Sequence, residues 1–280
     1  MFHLMINGRH SDLKGYNFLR NGATMNIFCI GDVVGNAGCN YVKTHLSTLK
    51  KLNGIDIVIA NGENSAEGNG ITPLSAGQLF EAGVDIITTG NHVFRRKEIY
   101  NMLNDNPYIL RPINYPSTTP GKGYTIIDTT KAQVCIINLM GTVFMENLEN
   151  PFNSIDKLLS ELPKDMMIII DFHAEATSEK RALAFHLDGK VSAIFGTHTH
   201  VLTADEEIFA KGTGYITDIG MTGPCVSVLG VEPQLAIDRF VTKMPTKFAS
   251  ASGPCCLCGV VFEIDNKTKS VNSIKRIQIK

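Results

Sequence analysis

The chain has 280 residues, of which 44% are hydrophobic and 19% charged, and its formal net charge is -1. This composition suits a globular protein with a large core and excludes a disordered or fibrous chain. It gives no overall basic field for long double-stranded nucleic acid, and without a run of about 18 apolar residues no membrane span is expected.

Residues 1–24 have neither a signal-peptide core nor strong periodicity, and read as a flexible leader before a single domain over residues 25–280. From Met25 onward, short Ile/Val-rich runs alternate with amphipathic stretches, the pattern of an α/β fold. NIFCIG (26–31) precedes a helix reaching about Lys51, and IDIVIANG (55–62) leads into a helix opened by Pro73 and ended near Gly83. DIITTG (85–90) precedes a helix over about 97–104, and YTIID (124–128) with VCIINLM (134–140) reads as an antiparallel pair. MMIIIDF (166–172) and VSAIF (191–195) flank a helix from about Ser178, with Ser178 as its cap. GYITDIG (214–220), a helix over about 232–243, and a hairpin of CGVVFEI (258–264) and VNSIKRIQI (271–279) follow. No internal repeat or linker divides the pattern.

The seven cysteines are odd in number, with Cys29, Cys135 and Cys225 in or near apolar runs, which points to reduced thiols and a cytoplasmic protein. CCLC (255–258) lacks a second pair at zinc-site spacing and reads as strand packing.

Five apolar runs carry a polar cluster at their carboxyl end: Asp32, then Glu63 with Asn64, Asn91 with His92, His173, and finally His198 with His200 in GTHTHV. In open α/β sheets ligands bind beyond the carboxyl ends of the strands, so the clusters are expected to converge on one crevice. His198 and His200, two apart in an extended segment, would aim their rings to one side, with Thr199 pointing away. Each cluster alone has a plainer reading as turn, helix cap or satisfied core histidine. Together they read as a metal site. Imidazoles, carboxylates and an amide oxygen without cysteine suit manganese, iron or zinc better than calcium. The donors are too many for one tetrahedral zinc and enough for two ions sharing a carboxylate, an arrangement suited to phosphoester hydrolysis.

GDVVG, GENSAEGNGIT, GNHVF, DFHAEATSEK, GTHTHV and DIGMTGP occur in that order between Met25 and Lys280. Together they resemble the calcineurin-like metallophosphoesterases, most closely their bacterial YmdB-like branch. Val34 stands where the superfamily's first motif has histidine, and Glu63 where the second has its bridging aspartate. YmdB-like proteins share both departures. The resemblance implies a four-layer αββα sandwich of two mixed β-sheets. It implies that Asp32 and His200 hold one metal ion, with Asn64 standing in for the missing histidine. Asn91, His173 and His198 would hold the other, and Glu63 would bridge. Two iron or manganese ions are implied, with zinc as a third option. His92 is implied as the catalytic residue that assists the leaving oxygen, a task suited to an imidazole. Thr177 and Thr222 are candidate phosphate contacts. The implied activity is hydrolysis of 2′,3′-cyclic nucleotides or other small phosphoesters, in a homo-oligomer.

Two further readings stand beside it. A metal-dependent amidohydrolase also uses His-x-His, although there the pair usually follows the first strand. A metal-stabilised regulatory protein with little turnover would have no need of His92. His45 and His186 read as partly exposed helix residues, and the run Arg95, Arg96, Lys97 as a phosphate-attracting patch or a solvated helix start.

Overall fold

The computed structural model describes residues 24–280. The leader expected over residues 1–24 therefore lies, Thr24 aside, outside the described residues. In chain order the strands are β1 (Thr24–Ile30), β2 (Asp32–Val33), β3 (Ile57–Asn61), β4 (Ile86–Thr88), β5 (Tyr124–Asp128), β6 (Gln133–Met140) and β7 (Met167–His173). They continue as β8 (Ala193–Thr197), β9 (Glu207–Ile208), β10 (Gly214–Ile216), β11 (Met221–Pro224), β12 (Cys255–Asp265) and β13 (Val271–Ile279). The helices are α1 (Gly35–Asn53), α2 (Pro73–Ala82), α3 (Tyr100–Asp105), α4 (Pro151–Glu161), α5 (Thr177–Leu187) and α6 (Pro233–Thr242).

The strands form two mixed sheets. One runs β2-β11-β12-β1-β3-β4 with β13 on β12; the other runs β5-β6-β7-β8-β10-β9. Alternation along each strand sends side chains to opposite faces, and three apolar layers result. Met25, Ile27 and Cys29 of β1 meet Val134, Ile136, Met167, Ile169 and Phe195 between the sheets. Phe28, Ile30, Val58 and Ala60 pack outward against Val42 and Leu46 of α1 and Leu79 of α2. Ile137, Ile168 and Ile170 pack against Ile155 and Leu158 of α4 and Leu183 of α5. This is the four-layer αββα order.

Two local readings change. Ser178 does not cap α5: the helix begins at Thr177, Ala176 is the N-cap, and no side chain caps it. Glu179 and Lys180 in its first turn are buried instead, bonded to the amide of Thr142 after β6 and to the carbonyl of Thr197 at the end of β8. Helix α4 also escaped the sequence reading, although Asn150 accepts hydrogen bonds from the amides of Phe152 and Asn153 and Pro151 occupies the first turn. That Asn-Pro start is a recognisable helix signal. The CCLC stretch opens β12, as strand packing requires, and all seven cysteines are free. Among the described residues no helix is long and apolar enough to cross a membrane.

Candidate active site

The five polar clusters meet at the strand ends of both sheets. Asp32 opens β2, one residue beyond the end of β1; Glu63 and Asn64 follow β3, and Asn91 and His92 follow β4; His173 ends β7, and His198 and His200 follow β8. Asp32, Glu63 and His173 are 0%, 1% and 0% exposed, so ionisable groups are held out of water. Close approach needs small residues: a Cβ on Gly90 would lie 2.2 Å from Cδ2 of His173 and 2.5 Å from Oε2 of Glu63.

Two groups of donors share one carboxylate oxygen. In the first, Nε2 of His173 lies 3.3 Å from Oε1 of Glu63, 3.0 Å from Oδ1 of Asn91 and 3.1 Å from Nδ1 of His198. In the second, Nε2 of His200 lies 3.6 Å from Oδ1 of Asp32 and 3.3 Å from the amide nitrogen of Asn64. That amide also stands 3.3 Å from Oε1 of Glu63, which places this oxygen between the groups. The amide of His198 donates to Oδ2 of Asp32 at 3.1 Å, joining the sheets directly.

The histidine pair does not converge by the extended geometry expected from its spacing. Strand β8 ends at Thr197, and His198 and His200 have φ of 99° and 63°. A left-handed turn, sparsely populated for residues with a Cβ, brings both rings inward.

Each ring is oriented from behind. Nδ1 of His173 lies 2.9 Å from the hydroxyl of Thr197, which itself donates to Oδ1 of Asp171 at 2.7 Å. The hydroxyl has one proton, so Nδ1 of His173 is the donor in that pair, and when the ring is neutral Nε2 is the nitrogen free to ligate. Nδ1 of His200 meets the carbonyl of Leu229 at 3.0 Å, and a carbonyl only accepts, which fixes the same tautomer there. Nε2 of His198 lies 3.1 Å from Glu175. Lys180, 1% exposed, donates to the carbonyl of Thr197 at 2.9 Å and to Asp218 at 2.8 Å. Asp218 in turn accepts from the amide of Thr199 at 3.0 Å.

The electrostatics follow from burial. Burial alone would lower His173 and His200, but Glu63 and Asp32 beside them raise each to about 9. Burial and the neighbouring His173 bring His198 down to about 4. Burial would raise Glu63, yet His173 and His92 hold it well below the usual carboxylate range.

Residues of this kind fit divalent cations. The decisive observation is Oδ1 of Asp32, which is wholly buried with Nε2 of His200 at 3.6 Å and no hydrogen bond within reach. An anionic oxygen there needs a positive partner, the imidazolium of His200 without metal or a cation once that ring is neutral. Glu63, His173 and His198 also present donor atoms all within 4.8 Å of one another.

A hollow of about 320 Å³, lined by Glu63, Asn64, His92, Glu175, His198 and His200, opens from the donors. The two threonines expected to touch phosphate do not line this hollow: Thr222 is 0% exposed within β11, and Thr177 is exposed at the start of α5. Arg96 is no free phosphate attractor, because its guanidinium bonds the carbonyls of Glu67 and Asn69 and fastens that loop. The supporting residues Asp171, Thr197, Glu175, Lys180 and Asp218 were not singled out by the sequence reading. The DFH and GTH motifs, which put a polar residue two before or one before a ligand histidine, were the available signal.

The sequence pattern of the family described as YmdB-like protein matches residues 28–277. The chain belongs to the YmdB-like family. It is 46% identical over 256 residues to the 2′,3′-cyclic-nucleotide 2′-phosphodiesterase of Bacillus subtilis, covering 91% of this chain and 97% of that one. The crystal structure of a novel phosphatase from Mycoplasma pneumoniae is 38% identical with a TM-score of 0.88, covering 92% and 94% of the two chains. A hypothetical protein from Thermus thermophilus is 40% identical with a TM-score of 0.86, covering 91% and 99%. NAD nucleotidase from Haemophilus influenzae, at 14% identity and a TM-score of 0.59 over 92% of this chain and 56% of its own, shares the fold.

Proposed function

We propose that this YmdB-like chain is a two-metal phosphodiesterase that opens 2′,3′-cyclic nucleotides. The observation that carries the reading is Oε1 of Glu63, placed between a His173, His198, Asn91 group and a His200, Asp32 group. The Bacillus subtilis relative, whose name carries this activity, supports the substrate class.

In this reading Asp32 and His200 would hold one ion, Asn91, His173 and His198 the other, and Glu63 would be shared between them. Iron or manganese suits the mixed nitrogen and oxygen donors. When bound, the two ions supply charge neutralisation at the phosphoryl oxygens and a water of lowered pKa. Asn64 needs one adjustment. As placed, its nitrogen faces His200 and Glu63 while its oxygen meets Nδ1 of His92 at 2.9 Å, so ligation through the oxygen requires the amide to turn over.

His92 has a different task. Its amide donates to Oε2 of Glu63 at 2.9 Å and its Nδ1 is held by Asn64, while Nε2 makes no hydrogen bond to the described residues. With the Asn64 amide turned over for ligation, its nitrogen would donate to Nδ1 and the ring proton would sit on Nε2; the ring lines the hollow, so Nε2 is the atom that can pass that proton to the departing ribose oxygen.

The test is hydrolysis of 2′,3′-cyclic AMP beside bis-p-nitrophenyl phosphate and p-nitrophenyl phosphate, after chelation and re-addition of Mn²⁺ or Fe²⁺, with metal counted per chain. Metal-restored cleavage of the cyclic diester supports the reading. Cleavage of the monoester alone replaces it with a phosphatase. Two ions without turnover on any ester move the function to metal-dependent binding or regulation.

A further inference from the structure

The segment after β6 forms a second wall beside the donors and is held unusually firmly. Gly141 leaves no room for a side chain, since a Cβ there would lie 2.4 Å from Oε2 of Glu179 and 2.6 Å from Cβ of Ala174. Glu179, 8% exposed, accepts from the amide and hydroxyl of Thr142 at 2.9 and 3.2 Å and from the amide of Val143 at 3.2 Å. The amide of Met145 then closes a turn on the carbonyl of Thr142 at 3.4 Å.

Phe144 occupies the third position of that turn with φ of 62°, where glycine or asparagine is the usual residue. Its side chain is 88% exposed. The position is thus unfavourable for folding twice over: the backbone is strained and the ring buries almost nothing. Location supplies a reason. Phe144 lines a hollow of about 370 Å³ together with Met145, Glu146, Asn91 and His198. Asn91 and His198 belong to the donor set, so a phosphate at that set and a group lying on Phe144 share one space. Apart from Val143, the nearby rim residues Glu146 and Asn147 are exposed and polar, which does not suit the centre of a protein interface.

We propose that Phe144 is a specificity-determining residue whose ring stacks on the nucleobase while the cyclic phosphate sits among the metal donors. The proposal deepens the phosphodiesterase reading and rests on it. Stacking uses the π face that every base has, so a single ring selects nucleotides over base-free esters without choosing strongly among bases. The turn fixed by Glu179 holds the ring in advance, which lowers the ordering cost of binding.

The experiment uses the metal-loaded full chain and three variants. Gly suits the turn's φ, so Phe144→Gly should melt no lower than the parent. Its KM for 2′,3′-cyclic AMP should rise about tenfold with kcat nearly unchanged, the size expected for one lost base stack. Its KM for abasic ribose 2′,3′-cyclic phosphate should stay the same, and Phe144→Tyr should behave as the parent. The chain has no tryptophan, so Phe144→Trp installs a single reporter. Its fluorescence should be quenched by adenosine 3′-monophosphate and not by inorganic phosphate. Equal KM changes on the base-bearing and abasic esters, or an unquenched reporter, would overturn the stacking role. So would a change of oligomeric state with KM unaltered, which would make Phe144 a contact between copies. A parent that cleaves neither cyclic ester would sink the phosphodiesterase reading instead, while the quenching result still decides whether Phe144 meets a base.

Discussion

His92 and Thr197 show how two side chains near the same donors can serve different ends. Nδ1 of His92 is committed to Asn64, and its ring touches Glu63 rather than replacing it. Substituting His92→Ala should therefore keep about two ions per chain while kcat on 2′,3′-cyclic AMP falls roughly 10²- to 10⁴-fold, the usual worth of a proton-transfer group. Metal content measured alongside rate separates this from a ligand role, in which ions and activity would vanish together. Thr197 instead relays the Asp171 carboxylate to His173. Replacing it by valine leaves the shape and removes the relay, so metal affinity should drop by about 10- to 100-fold, as for other partners of ligating histidines. Titration of the chelated protein with Mn²⁺ reads this directly.

At the scale of elements, the turn after β8 depends on a charge pair that neither β8 nor that turn contains. Lys180 of α5 and Asp218, 1% and 0% exposed, brace the carbonyl of Thr197 and the amide of Thr199. Burial pushes the Asp218 carboxyl up even with Lys180 beside it. Lys180→Met should therefore cost about 3–5 kcal/mol, because an unpaired buried carboxylate is left behind. Urea unfolding of the single variant and of Lys180→Met with Asp218→Asn tests this, and the double variant should recover a good part of the loss. A double variant as weak as the single one would show that Lys180 acts through packing alone. The same pair marks where sequence legibility ended. Strand-end donors such as Asp32 and His173 were readable because they interrupt or close apolar runs. Lys180 and Glu179 were not, because charged residues in a helix's first turn ordinarily face water. Strands β2 and β11, of 2 and 4 residues, were too short for periodicity. The left-handed His198 and His200 were misread because the extended spacing that predicted convergence stops one residue earlier.

For the whole molecule, two sheets packed face to face bring buried acids and histidines to one edge, and the charge there must be balanced with or without metal. In the metal-free protein, His173 and His200 are raised from 6.5 to about 9, so both carry protons at neutral pH. An unfolded histidine has the lower value. The stabilisation from these two groups is therefore fully present below pH of about 6.5 and is lost as pH rises through about 9. Glu63 and Asp32 work in the other direction: His173 and His200 respectively outweigh burial and hold them low, so their stabilisation is lost in acid as pH falls below the ordinary carboxylate range. Chelated protein should accordingly melt highest between about pH 5 and 6.5 and weaken toward pH 10. Ions entering the site must displace the histidine protons, since only a neutral imidazole ligates. Calorimetric titration with Mn²⁺ at pH 7.5, in two buffers of different ionisation enthalpy, should report release of up to about two protons per chain. The number should shrink toward zero above pH 9, with affinity rising in step. A proton count that stayed flat from pH 6 to 10 would mean that the histidines are neutral before metal arrives, and that the buried carboxylates are balanced some other way.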